Sequence, residues 1–122
     1  NYFSKTVNVK GREFKIENFY EGVARFNFDD LCNQNLGAED YLEIIKNCKF
    51  IAIEQIPQFN DTNSNQQKRF ITLLDVIYDK GIPLAVTAKQ NLDEFTSSRL
   101  LETSFKRTIS RLYELTSIET NL

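Results

Sequence analysis

Residues Phe50–Val86 decide the fold, and they read FIAIEQIPQFNDTNSNQQKRFITLLDVIYDKGIPLAV. The stretch opens on an apolar run, Phe50-Ile51-Ala52-Ile53, and closes on a second one, Leu84-Ala85-Val86. Continuous apolar runs of this length are typical of strands buried on both faces of a parallel sheet. Between them lies a helical pattern with one apolar stripe, which ends at Gly81. Its members are Phe70, Leu73, Leu74, Ile77 and Tyr78. The stretch predicts a β-α-β unit whose parallel strands are joined by a right-handed crossover.

The segment between the first strand and the helix is polar. Residues 58–67 are rich in Asn, Asp, Ser and Gln, which favour turns and compete with the backbone for hydrogen bonds. We therefore expect a loop here, and we expect it to be the most mobile segment of the chain.

The first third of the chain predicts short strands. Val7 and Val9 alternate with polar residues before Lys10-Gly11, and apolar residues alternate again after it, at Phe14, Ile16 and the less certain position Phe19. This pattern indicates a hairpin, because glycine permits a tight reversal. A third strand is predicted for residues 23–28, ending where Asp29-Asp30 would cap a helical turn.

Two further helices are predicted from the spacing of apolar residues. The first covers residues 38–46 and the second residues 99–117. The inner face of the first is predicted to hold Ala38, Tyr41, Leu42 and Ile45. The inner face of the second is predicted to hold Leu101, Phe105, Ile109, Leu112 and Thr116.

These elements together predict an α/β fold. An N-terminal β-hairpin and a short strand are joined to the β-α-β crossover unit, with helices packed on a small mixed sheet and a C-terminal helix. A length of 122 residues suits a single domain. The chain starts at Asn1 and contains no methionine, so we expect residues 1–122 to be one domain of a larger protein.

Composition excludes several classes of function. Fifteen basic against seventeen acidic residues give a net charge of −2, which argues against general binding of nucleic acid or anionic membranes. The longest apolar run is far shorter than the ~20 residues of a membrane-spanning helix. The absence of histidine excludes Ser-His and Cys-His catalysis, and Cys32 and Cys48 alone cannot form a structural zinc site. None of the four glycines stands in a phosphate-binding loop, so we expect no complete active site and no cofactor in this chain.

Arginines remain as candidate site residues. Arg107 and Arg111 lie four residues apart, and hence on one face of the last helix, where they could contact a phosphate or an acidic partner. The alternative is a solvated face in which Arg111 pairs with Glu114. Arg69 stands beside Lys68 at the predicted start of the crossover helix, where a cation opposes the helix dipole. Its alternative is ordinary surface solvation.

Ordered sequence phrases run from about Val7 to Ser117. They are Gly22-Val23-Ala24-Arg25-Phe26 with Phe28, Leu31-Cys32 with Leu36-Gly37-Ala38, Asp40-Tyr41, Ile56-Pro57, Arg69-Phe70-Ile71 with Leu73-Leu74-Asp75 and Tyr78-Asp79, and Phe105 with Arg107-Thr108, Ser110-Arg111-Leu112 and Glu114. In order and spacing they resemble the C-terminal region of the AFG-like ATPases, AAA-type P-loop enzymes whose bacterial members are the ZapE cell-division ATPases. The departures are mild: Lys68 and Leu115 stand where the family commonly has arginine and methionine.

The resemblance implies which residues matter. The family-motif residues are Arg25, Asp40, Tyr41, Pro57, Arg69, Phe70, Asp75, Tyr78, Arg107, Ser110, Arg111 and Glu114. It further implies an accessory C-terminal domain of an ATPase whose P-loop core, with its ATP and Mg²⁺, would lie before Asn1. Arg107, Arg111 and Arg69 would then be candidates for charge stabilisation in an oligomer.

The same resemblance implies partners and a place of action. The partners would be the protein's own ATPase core, further copies of the protein, and a client that is an FtsZ-like division protein or a membrane protein. The place would be the bacterial cytoplasm, including the division site, or alternatively the mitochondrial matrix. A different function also remains open, a non-catalytic interaction module that binds such a client, and the direction of the Arg107/Arg111 face would distinguish the two.

The crossover unit allows one more interpretation. An apolar strand ending in an acid, Phe50 to Glu54, is followed by a helix and a strand ending at Thr87, which is the order of the metal-binding and sensing strands of P-loop enzymes. The unit could be a degenerate nucleotide fold that acts as a lid or an oligomer contact. Ordinary β-α-β packing is the alternative.

Overall fold

The structure is a computed structural model that describes residues 3–116 of the chain. Its elements in chain order are β1 (Lys5–Val9), β2 (Arg12–Ile16), β3 (Asn18–Tyr20), β4 (Val23–Asn27), α1 (Phe28–Cys32), α2 (Ala38–Ile45), β5 (Phe50–Ile56), a 3₁₀ turn (Asp61–Asn63), α3 (Ser64–Lys80), β6 (Leu84–Ala88), two 3₁₀ turns (Leu92–Glu94 and Arg99–Leu101) and α4 (Glu102–Thr116). Strands β1 and β2 form a separate hairpin, and the other four form a mixed sheet in the order β3-β4-β5-β6. This arrangement confirms the predicted fold class.

The β-α-β unit at the centre of the prediction is present. Strands β5 and β6 run parallel, with Ile51 opposite Leu84 and Ile53 opposite Val86, and α3 connects them. Strand β4 also runs parallel to β5, through α1 and α2, while β3 is antiparallel to β4. This second parallel pair goes beyond the single crossover that the apolar runs indicate, because β4 alternates in the manner of a half-exposed strand.

Tight turns with left-handed residues shape the N-terminal third. Lys10 and Gly11 both have positive φ, 52° and 79°, as a two-residue hairpin turn requires, and the Gly11 amide donates to the Asn8 side chain at 2.9 Å. The hairpin prediction is confirmed. Phe19 belongs to the separate strand β3, which reverses into β4 through the Glu21-Gly22 turn.

The helical turn after β4 begins earlier than predicted. Phe28 is the first residue of α1, and the cap is Asn27, whose side chain accepts a hydrogen bond from the Asp29 amide at 3.1 Å. The predicted capping role of Asp29-Asp30 is therefore wrong, because the extended backbone ends at Asn27 and both aspartates already lie inside the first turn.

Helix α2 buries a slightly rotated face. Tyr41 and Ile45 are buried as predicted, but Ile44 takes the place of Leu42, which is 40% exposed, and Ala38 is exposed. The rotation follows from two anchors. The Tyr41 hydroxyl donates to the Leu31 carbonyl at 2.7 Å, and the Asp40 carboxylate accepts from the Gly37 amide at 2.7 Å, forming a cap at the helix start.

The polar segment 58–67 is not a loop throughout. A 3₁₀ turn forms where the Asn60 side chain accepts from the Thr62 amide and the Asn63 side chain accepts from the Asn60 amide, both at 2.8 Å. Helix α3 then starts at Ser64, so the predicted mobile segment contains the first turn of this 17-residue helix. Gln67 is fully buried there. Its amide donates to the Ser97 hydroxyl at 2.7 Å and accepts from the Ser98 amide at 3.1 Å.

Helix α4 starts at Glu102, after a separate 3₁₀ turn, instead of at Arg99, and the predicted end at Ser117 lies outside the described residues. Its buried residues are Phe105, Thr108 and Leu112. Leu101, Ile109 and Thr116, which were also predicted to face inward, are half-buried.

Aromatic rings fill the centre of the core between the helices and the sheet. Neighbouring rings lie 5.4 to 6.4 Å apart between centroids. The five rings are Phe28, Phe59, Phe70, Phe95 and Phe105. They connect α1, α3, α4 and the connecting segments into one core.

The central strands are covered on one face only in the described part of the chain. Ile51, Ile53 and Leu84 are fully buried against the helices, whereas Phe50 and Ala52, on the alternate positions, are half-buried. The prediction of strands buried on both faces is therefore wrong for residues 3–116. A run of apolar residues shows what a strand can bury, and it does not show whether both covers are present.

Gln67 offers a test of how the connection before α4 is held. We expect Gln67→Leu to lower the free energy of unfolding by about 1–3 kcal/mol, because the buried Ser98 amide loses its acceptor. Urea unfolding measures this. Gln66→Leu is the matched control. Within residues 3–116 the half-buried side chain of Gln66 makes a single hydrogen bond, to the Asn33 side chain. Equal losses in the two variants would contradict the role of Gln67.

The two thiols offer a second test. Burial raises the pKa of the Cys32 thiol to about 12 and that of Cys48 to about 11, from an ordinary value of 9.0. We expect neither thiol to react with a thiol reagent at pH 8 before urea is added, and both to react afterwards. Above pH 9 the unfolded chain releases protons that the folded chain retains, so stability should decline towards pH 11 to 12. Rapid labelling of either cysteine in the native protein at pH 8, measured by peptide mass spectrometry, would contradict the expected protection of the thiols.

Candidate functional site

Five family-motif residues meet where α3 packs against α4. Asp75 and Tyr78 project from α3, and Arg107, Arg111 and Glu114 project from α4. We call this group the Asp75 cluster. Spacings of three and four residues place each set on one face of its own helix, so the sequence itself brings the side chains to the contact.

Arg111 is the centre of the Asp75 cluster. Its guanidinium donates to the Asp75 carboxylate and lies over the Tyr78 ring, 4.5 Å from the ring centroid. The Tyr78 hydroxyl in turn donates to both carboxylate oxygens of Glu114, at 3.1 and 3.2 Å. These contacts run between helices and take the place of the Arg111–Glu114 pair within α4 that was the alternative from sequence. Asp75 lies opposite Arg111 and accepts its hydrogen bond, so Glu114 accepts from the Tyr78 hydroxyl instead of pairing with Arg111.

Arg107 is held more loosely than Arg111. Its Nη2 lies 3.6 Å from the second oxygen of Asp75, and its side chain is 57% exposed against 23% for Arg111. Two guanidinium groups thus share one carboxylate. An exposed ion pair at this distance contributes little to stability, so Arg107 can turn away from Asp75 at low cost. The cluster contains no nucleophile with a base, and its chemical capacity is to present a fixed and an adjustable positive charge side by side.

Arg69 lies apart from this cluster. It is the sixth residue of α3, half-buried, and its Nη1 donates to the Cys32 carbonyl at the end of α1, at 3.2 Å. Asp75 is six positions further along the helix, which places the two side chains about 120° apart around its axis. Because α3 begins at Ser64, Arg69 lies beyond the first turn of the helix, so the unfavourable dipole setting expected from sequence does not arise.

The other motif residues have structural positions. Arg25 pairs with Glu54 across β4 and β5 at 3.3 Å, and Phe70 is fully buried in the aromatic core. Asp40 and Tyr41 anchor α2, Pro57 follows β5, and Ser110 is exposed on α4.

A polar row lies at the carboxyl ends of the parallel strands, and of its members the sequence had singled out only Thr87. The Asn27 side chain donates to the side-chain oxygen of Gln55. The backbone amide of Gln55 donates to the Thr87 hydroxyl at 3.0 Å. Gln55 has a left-handed backbone, φ 62°, at an irregularity in the pairing of β5 with β6. Ligands in open α/β sheets bind at this end of the strands. The residues around Gln55, which follows the apolar run Phe50-Ile51-Ala52-Ile53, carry no signal for the irregularity, so sequence gives no way to find it.

The described residues do not fit an ATP and Mg²⁺ site of their own. Gly11 and Gly22 lie in strand turns, Gly37 precedes the short helix α2, and Gly81 ends α3, so none belongs to a glycine-rich loop that opens a helix around a phosphate. Within residues 3–116 no group of three or more acidic, cysteine or histidine side chains could hold a metal ion. In the same range no helix has the length and apolar character needed to cross a membrane.

Comparison with known proteins gives relatives along nearly the whole chain. The chain is 35% identical to "Lactation elevated protein 1 homolog B" of Danio rerio over 89 residues, which cover 73% of this chain and 18% of that protein. It is 25% identical to "Cell division protein ZapE" of Escherichia coli K12 over 116 residues, which cover 95% of this chain and 31% of that protein. The chain thus spans less than a third of the length of these curated relatives.

The family is settled by a match that extends over the sequence phrases quoted above. No solved structure matches the chain significantly. The sequence model of the AFG1-like ATPases matches residues 2–121, which confirms the resemblance. This chain belongs to the AFG1-like ATPase family.

Proposed function

We propose that this chain is an accessory domain of an AFG1-like ATPase, in which another part of the polypeptide binds and hydrolyses ATP. In this proposal the domain contributes Arg107 to that reaction across a contact between subunits. The observation that carries the proposal is the Arg107 guanidinium itself, 57% exposed and joined to Asp75 only through a 3.6 Å ion pair.

Transfer of a phosphoryl group spreads negative charge over the phosphate oxygens, and an arginine supplied by a neighbouring subunit stabilises that charge. Such a residue must be positioned in advance and still be free to move onto its target. Positioning is provided by Arg111 and Asp75, because their tight pair and the Tyr78 ring fix the part of α4 from which Arg107 projects. Freedom to move is provided by the long ion pair of Arg107.

The proposal extends to assembly and client. The domain would contact its own ATPase core and further copies of the protein in an oligomer. The E. coli relative is a cell division protein by name, which supports a client in the division apparatus. We propose that this client is of the FtsZ-like kind and that the protein acts in the bacterial cytoplasm at the division site. A membrane-protein client and the mitochondrial matrix are the alternatives, since relatives also come from a fish and a fission yeast.

Substitution of Arg107 tests the proposed charge. In the full-length protein we expect Arg107→Ala to lower kcat by about 10²-fold or more, while oligomer size and Tm stay close to those of the parent. Arg107→Lys should recover only a small part, because a point charge does not reproduce the planar fork. Lys106→Ala is the matched control, an exposed cation one position earlier on α4. A loss of turnover below about threefold, or one that follows a loss of folding, would overturn the proposal.

A mixing experiment tests whether the arginine acts between subunits. Arg107→Ala protein is combined with a phosphate-loop variant of the same full-length protein, each inactive alone. A neighbour's arginine would restore turnover in mixed oligomers. No recovery in oligomers shown to be mixed would exclude action between subunits.

The Asp75 cluster also predicts unequal roles for its two arginines. We expect Asp75→Asn and Arg111→Ala each to lower the free energy of unfolding by about 1–3 kcal/mol, because each removes the tight Asp75–Arg111 pair and leaves one half-buried charge without its closest partner. In a double-mutant cycle the two should couple by about 1 kcal/mol or more, whereas Asp75 and Arg107 should couple by less than about 0.5 kcal/mol. Urea unfolding of Asp75→Asn, Arg111→Ala, Arg107→Ala and the two double variants that include Asp75→Asn measures these couplings. Equal coupling of both arginines would contradict the distinction between a fixed and an adjustable charge.

A further inference from the structure

One face of the mixed sheet lacks a cover among the described residues. The strand pairing assigns side chains to this face in three rows. From the amino to the carboxyl ends of the parallel strands, the rows are Tyr20, Val23 and Phe50, then Asn18, Arg25, Ala52 and Ala85, then Asn27, Glu54 and Thr87. We call this surface the open face.

The first row of the open face is apolar and exposed. Tyr20 is 52% exposed and Val23 48%, and in the strand register Val23 lies between Tyr20 and Phe50. Phe3, itself 52% exposed, stacks on the Tyr20 ring with the centroids 5.2 Å apart and widens the patch. Contiguous exposed apolar side chains of this kind mark interaction surfaces.

The second row is shaped for close packing. Ala52 and Ala85 are neighbours on β5 and β6 and are both half-buried, so they form a shallow surface on the β5-β6 side of the sheet. Adjacent strands lie about 4.8 Å apart and a helix is about 10 Å wide, so one helix would cover both alanines and rest against the first row.

Charge on the open face is balanced. Arg25 and Glu54 pair with each other at 3.3 Å, and the other residues of the three rows are neutral. A surface without net charge has no electrostatic attraction for nucleic acid or anionic lipid, and it suits burial against protein.

The strand directions favour a cover here. Strands β4, β5 and β6 run parallel and only the edge strand β3 is antiparallel, and sheets built of parallel strands are typically covered on both faces. The matched relatives are more than three times as long as the aligned region, since it covers only 18% and 31% of them. A cover that the strand directions favour in every molecule is most simply supplied by the same polypeptide.

We propose that the open face is the docking surface for a helix of the remaining part of the ATPase polypeptide. The inference rests on the proposed function, in which that part binds ATP, and it names the surface through which the domain is joined to it. Val23 and the Tyr20 ring would pack against apolar side chains of the helix, and the two alanines would lie beneath its axis.

Thiol labelling in the full-length protein tests this docking. Val23→Cys and Ala52→Cys place thiols in the first and second rows, and Leu42→Cys is the control. Leu42 matches Val23 in exposure, 40% against 48%, but lies on α2 instead of the sheet. Labelling by a maleimide is followed at each site by peptide mass spectrometry, which separates these thiols from the buried native cysteines.

We expect both open-face thiols to react at least about tenfold more slowly than the control, at rates unchanged by about a hundredfold dilution. Labelling of both within about threefold of the control would overturn the proposal. Protection that disappears on dilution would also overturn it, because the cover would then be a second copy of the protein. If one of the two variants misfolds, the labelling rate of the other decides by the same thresholds.

The outcome is separable from that of the proposed function. Fast labelling together with a large effect of Arg107→Ala on turnover would remove the docking surface and leave the catalytic role of the domain. Slow labelling together with normal turnover of the Arg107 variant would leave the docking surface and remove that role.

Discussion

Burial of helix α3 is the interaction on which the rest of the structure depends. Seven of its side chains are buried, and it packs against α1, α2 and α4 while joining the two parallel strands β5 and β6. Burial of one large apolar side chain is worth about 1.5–3 kcal/mol, so this helix supplies a large part of the favourable free energy of folding. Phe70 shows why, because its ring contacts both Phe28 of α1 and Phe59 of the segment after β5.

The motif residues on the two sides of α3 fix the positions of α1 and α4 beside it. On one side Arg69 reaches the carbonyl at the end of α1, and on the other Asp75 and Tyr78 bind Arg111 and Glu114 of α4. The apolar stripe alone would allow α4 to slide or rotate, since hydrophobic contact has no direction. Hydrogen-bonded ion pairs do have direction. The Asp75 cluster thereby sets the register of α4 and, with it, the position of Arg107.

Sequence predicts well those elements that depend only on residues close together in the chain. The apolar stripe of α3, the turn at Lys10-Gly11 and the run Phe50-Ile51-Ala52-Ile53 are local patterns, and each gave the right element. The failures concern what depends on distant parts of the chain. Whether Asp29 or Asn27 caps a helix depends on where β4 ends, and whether Arg111 pairs with Glu114 depends on what α3 places opposite. For the candidate site, spacing alone put Arg107 and Arg111 on one face, but it could not bring in Asp75 and Tyr78 or place Arg69 elsewhere.

The two proposed surfaces lie on opposite sides of one sheet, and this relation constrains both. The Asp75 cluster lies in the helical layer, where α3 and α4 pack, whereas the open face is the side of the sheet that these helices do not cover. If the open face is joined to the protein's own ATPase core, the sheet separates Arg107 from that core. An arginine side chain is too short to reach around a domain of this size. Arg107 would then lie on the side of the sheet away from the docked helix, so docking through the open face and an arginine that acts between subunits are compatible with each other.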